Sequence, residues 1–143
     1  MDVPHEVPAW FWDVIEAHKP GTASLAGWLR RAAEDEIVAY QLAYELAAEE
    51  VADYWDGPVV DGVQYSEDDT EDLCKWVVAQ GRAAWAAARS GPEGMADAVR
   101  RYTARDAAEA WTPDGAAHAI FHERFHASLH ERMTAAWDAE DGA

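Results

Sequence analysis

Ile37, Tyr40, Tyr44, Ala48, Val51 and Trp55 recur at steps of three and four residues. That spacing places apolar side chains on one face of an α-helix and predicts a helix over residues 34–55. Glu34, Asp35 and Glu36 open it, where the helix dipole favours negative charge. Asp56-Gly57-Pro58 closes it. Similar punctuation divides the rest of the chain. Pro8 suits a first helical position and Pro20-Gly21 a stop, giving a helix over residues 8–18. Thr22 or Ser24 can cap a second helix that runs to Arg31. Val59, Val60 and Val63 mark a short irregular stretch with room for an extended piece near residues 59–65.

Ser66-Glu67-Asp68-Asp69 reads as a cap with an acidic first turn, leading a helix that carries Leu73, Trp76 and Val77. Gly81 kinks that helix or divides it from a short one over residues 83–89. Gly91-Pro92 is the next break, followed by a helix over 95–111, a turn at Pro113-Asp114-Gly115 and a last helix over 116–137. The pattern predicts an all-α, single-domain bundle of about five to seven helices over residues 1–143, with Ile37, Tyr40, Tyr44, Trp76 and Phe125 buried. Of the tryptophans, Trp10 and Trp12 fall on different sides of the first helix, so one can face solvent.

Composition agrees. The hydrophobic fraction is 50%, which excludes wholesale disorder. Cys74 is the single cysteine, so neither an internal disulfide nor a cysteine zinc cluster can form; it is expected to pack as a small apolar residue in a reducing compartment. The start of the chain has no secretory pattern, and no stretch is long and apolar enough for a membrane span, so a cytoplasmic location is expected.

Charge changes the picture more. The net charge is −17, and no Lys or Arg occurs between Ala32 and Cys74, a window that holds half of the 28 acidic residues. Such a field repels nucleic-acid phosphates and anionic membranes. It attracts a basic protein surface and steers its approach, with Glu45, Glu49 and Asp53 as a candidate contact face.

Some residues resemble a known family. Phe11-Trp12-Asp13-Val14-Ile15-Glu16, the acidic turn Ser66-Glu67-Asp68, the block Trp76-Val77-Val78-Ala79-Gln80-Gly81-Arg82 and the turn Ser90-Gly91-Pro92-Glu93 together resemble domain-of-unknown-function family 4240 over roughly residues 9–100. Thr70, Leu73 and Cys74 stand where that family has aromatic residues. The resemblance implies a helical fold and a bacterial origin, and no activity. From the residues themselves, Trp76 can anchor its helix, Gly81 can bend it, and Arg82 can pair with Asp68 or Asp69.

Candidate chemistry sits in the last predicted helix, within residues 114–138. His118, His122, His126 and His130 lie four residues apart, and His122-Glu123-Arg124-Phe125-His126 matches H-E-x-x-H. On one helix, His122 and His126 would share a face and grip zinc or another divalent transition metal, with Glu123 as general base toward bound water. Phe121, Phe125, Leu129 and Met133 form an apolar stripe that would carry His118 and His122 inward. His18, Glu16 and Glu45 could complete a coordination shell. Arg124 breaks the usual pattern of zinc peptidases, which have uncharged residues there. The sequence therefore carries two functional readings: a binding protein for a basic partner, in an antitoxin-like or immunity-like role, and a metal-binding protein or metal-dependent hydrolase. A row of structural or pH-sensitive histidines is the third account of the motif.

Overall fold

The computed structural model of the chain describes residues 3–19, 22–54, 58–106, 113 and 115–141. Its eight described helices are α1 (Ala9–His18), α2 (Thr22–Arg31), α3 (Glu34–Tyr54), α4 (Glu67–Ala79), α5 (Arg82–Ala88), α6 (Pro92–Ala104), α7 (Ala116–Phe125) and α8 (Leu129–Asp141). One two-stranded antiparallel sheet, β1 (Val59–Val60) and β2 (Val63–Gln64), stands between α3 and α4. The fold is all-α, as the periodicity predicts.

The local signals act much as the sequence suggests. Glu36 Oε1 accepts a bond from the Ala33 amide, 3.0 Å, and closes the start of α3. Ser66 Oγ accepts from the Asp69 amide, 3.1 Å, at the start of α4. The extended piece is a hairpin in which Val60 pairs with Val63. Its turn residues Asp61 and Gly62 both have positive φ, 53° and 81°, the geometry that matches the twist of two short strands. Arg100 of α6 grips the Asp61 carboxylate with two bonds of 3.1 Å, and this holds the carboxyl below its usual range.

α3 is the axis. Ile37, Tyr40, Leu42, Tyr44, Ala47 and Val51 are all buried, so the helix is covered on most of its circumference. Phe11 of α1 meets Tyr40 and Tyr44 at ring distances of 5.5 and 6.0 Å. The Tyr44 hydroxyl donates to the Lys75 carbonyl of α4, 2.6 Å. The Trp85 indole of α5 donates to the Ala47 carbonyl, 3.0 Å, and packs at a tilt against Trp12. Trp76 packs edge-on against Tyr102 of α6. Among the described residues, no helix is long and apolar enough to cross a membrane.

Three expectations need correction. The last predicted helix is two: His126 adopts a left-handed backbone (φ 51°) that ends α7, and Ser128 Oγ accepts from the Glu131 amide to start α8. That break raises the helix number above the expected five to seven. The helix expected over 95–111 starts at Pro92 and ends at Ala104, where Arg105 turns extended; residues 107–112 lie outside the described part, as does Trp55. Phe125 is half-buried rather than buried, because the break at His126 leaves it at a helix end.

Candidate functional site

The H-E-x-x-H residues are not assembled as one helical face. His118 and His122 lie on α7, His126 caps its end and His130 belongs to α8. His118 is half-buried, while His122, His126 and His130 are exposed along with Glu123. The expectation that His118 and His122 point inward from an apolar stripe fails at His122. Phe121, Leu129 and Met133 do face the core, but the chain reverses its local twist between them. Among the described residues, no three His, Cys, Asp or Glu stand close enough to hold an ion. The proposed extra ligands are engaged elsewhere: Glu16 pairs with Lys19 at 2.9 Å, and His18 Nδ1 lies 2.6 Å from Ser24 Oγ.

Arg124, the residue that spoils the peptidase pattern, has a clear structural task. Its Nη1 donates to the carbonyls of Leu29 and Ala32, both at 2.6 Å, and so caps the open end of α2. Its guanidinium also lies 4.6 Å from the centre of the Phe125 ring.

The residues of the family-like block are placed just as specifically. Trp12 and Trp76 are buried. Gln80 donates from Nε2 to the Trp76 carbonyl, 3.2 Å, and Gly81 makes the α4–α5 turn at φ 108°. Asp68 and Arg82 are exposed, and the pairing of Arg82 with Asp68 or Asp69 is not formed. Arg82 is the first residue of α5.

A groove of about 930 Å³ lies along α3 and α4. On α3 it is lined by Leu42, Glu45, Leu46, Ala48, Glu49 and Ala52. On α4 it is lined by Glu67, Thr70, Glu71, Cys74 and Lys75. The hairpin end at Tyr65, the segment Val3-Pro4 and Trp137 of α8 complete it. Val3 is held in place because its amide donates to Glu140 Oε2, 3.2 Å, while His5 Nε2 sits 2.7 Å from Glu140 Oε1.

The chemistry of this groove is an apolar floor under a carboxylate rim. Glu45 and Glu49 are one helical turn apart on α3, and Glu67 and Glu71 one turn apart on α4. Lys75 is the cation of the lining, and it lies 3.3 Å from Glu71. Glu49 and Glu67 pair with no Lys or Arg among the described residues. Cys74 is buried on the floor, and its thiol is pushed up to about 12 by burial first and then by the Glu71 charge. A thiol held neutral in this way packs and does not attack. Glu45 and Glu49 were legible as a contact face; the side chain of Asp53 lies outside the described part. Glu67 and Glu71 were missed. Their four-residue step matches that of Glu45 and Glu49, but the match matters only once α3 and α4 are known to pair.

No family model matches the chain, and comparison with curated proteins and with solved structures found no match.

Proposed function

We propose that this chain is a binding protein that captures a basic protein partner on the groove between α3 and α4. The observation that supports this reading is the pairing of carboxylates from both helices over one apolar floor. Acidic surface alone would give only weak, non-directional attraction. A concave apolar floor adds contact area that can be desolvated, and the rim adds orientation and a faster encounter.

The metal-dependent alternative has less behind it. It needs His122 and His126 to converge, and the left-handed turn at His126 takes the second imidazole off the face of α7.

The test must separate the groove from general charge. One variant carries Glu45→Gln, Glu49→Gln and Glu67→Gln. A control carries Asp13→Asn, Glu123→Gln and Glu131→Gln, which are exposed and outside the groove lining. Both variants have the same net charge. Binding to a small basic protein such as cytochrome c is followed by calorimetry at several salt concentrations. The groove variant is expected to lose about tenfold or more in affinity and the control about twofold. Equal losses would reduce the binding to net charge and overturn the groove as the site.

A further inference from the structure

We infer that the element this groove receives is a basic amphipathic helix about three turns long, with Lys or Arg along both flanks of an apolar stripe. The inference rests on the reading of the groove as the partner's site.

Length is the first argument. The α3 side of the lining runs from Leu42 to Ala52. At 1.5 Å per residue that is roughly 15 Å, or about three turns of a docked helix. The α4 side runs a similar length from Glu67 to Lys75.

Backbone chemistry is the second. The groove walls are helices, whose amides and carbonyls already bond within themselves. An extended segment would meet strand backbone only at Gln64, the end of β2, and over Leu42, Leu46 and Ala52 its own polar backbone would lie unpaired. A helix brings its backbone bonds with it and presents only side chains. Two paired helices with a furrow above them are a natural seat for a third.

Charge is the third. Glu49 on the α3 wall and Glu67 on the α4 wall face no Lys or Arg among the described residues, so each calls for a cation on the flank of the occupant that meets it, as flanking charges do beside a coiled-coil seam. The apolar stripe between those cations would meet the floor and Trp137, which also lines the groove. That indole is 36% exposed and is among the few large apolar side chains left in solvent.

The experiment uses the full chain and four synthetic 14-residue peptides with blocked ends. The first has leucines at helical spacing with lysines on both flanks. The second is its scrambled isomer, the third carries a central proline, and the fourth is oligolysine of equal charge. Binding is measured by fluorescence anisotropy at about 0.15 M salt, where exposed charges more than about 8 Å apart are screened. The first peptide should bind at least about tenfold tighter than the other three, and circular dichroism should show it gaining helix on binding. Glu49→Gln with Glu67→Gln should weaken it at least fivefold without lowering the melting temperature of the free chain, and Trp137→Ala should weaken it at least fivefold. If the scrambled peptide and oligolysine bind as well as the first, and binding still falls in the groove variants, the helix is overturned and the basic-partner reading stands. If no groove substitution changes the binding of any peptide, both are overturned.

Discussion

Arg124 shows how a residue can carry a different meaning in the structure from the one its motif suggests. In the string His122-Glu123-Arg124-Phe125-His126 it is the misfit; in the fold it donates to two backbone carbonyls. Two charge-assisted bonds to Leu29 and Ala32 carbonyls tie α7 to the end of α2 across a long stretch of chain. Losing them leaves two helix-end carbonyls without that donor, at a cost of about 2–3 kcal/mol. Arg124→Ala is therefore expected to lower the melting temperature by roughly 6–12 °C in a chain of this size. Glu123→Ala, exposed one position earlier, should change it by less than about 2 °C. A thermal melt of the two variants checks the contrast, and equal shifts would mean that the Arg124 bonds contribute nothing net. The sequence could mark Arg124 as unusual. It could not supply the reason, because the partner carbonyls are backbone atoms whose position depends on where α2 ends.

At the scale of elements, punctuation was the readable part. Gly81, Pro92 and Ser66 stand at the helix boundaries where glycine, proline and a capping hydroxyl belong, while Pro8 precedes α1 as its cap rather than opening it as the first helical residue. The missed boundary is instructive. Ser128-Leu129-His130-Glu131 is itself a cap signal, a serine followed three residues later by a glutamate, and it starts α8. The apolar stripe of Phe121, Phe125, Leu129 and Met133 hid it, since a regular four-residue step reads as one helix whether or not a turn interrupts it. The α4–α5 corner makes the cost of such joints measurable. Gly81 has φ 108° and ψ 175°, a region closed to residues with a side chain. A Cβ there would collide with the Glu16 carboxylate and approach Lys19 Nζ to 3.0 Å. That lysine donates to the Gln80 carbonyl, 3.0 Å, so the end of α1 is latched over the corner. Gly81→Ala should destabilise the fold by about 2–3 kcal/mol, read as a fall in the urea midpoint with an unchanged slope. An unchanged midpoint would show that the corner can relax.

For the whole molecule, the sequence shows where the charge is and the fold shows where it gathers. The window free of Lys and Arg spans α3, the hairpin and the first part of α4. Because α3 and α4 pair, that window folds onto itself and brings its carboxylates face to face. Cations from outside the window return to its edges: Arg132 pairs with Glu34, Arg89 with Glu50 and Arg100 with Asp61. Glu49 and Glu67 in the groove receive none among the described residues. Which acidic turns would face each other was not legible, since a charge pattern carries no information about helix pairing. Two electrostatic terms of opposite consequence follow from this arrangement. Like charges within a chain of net charge −17 repel and weaken the compact state, whereas the same charges attract a cationic partner. Salt screens both, with a range that shrinks from about 30 Å at 0.01 M to about 8 Å at 0.15 M. Raising sodium chloride through that interval should therefore raise the melting temperature of the free chain by several degrees and lower its affinity for a basic partner about tenfold or more. One salt series, followed by a thermal melt and by anisotropy, reads both. A melting temperature that fell together with affinity would mean that the edge pairs of Glu34, Glu50 and Asp61 outweigh the repulsion gathered in the groove.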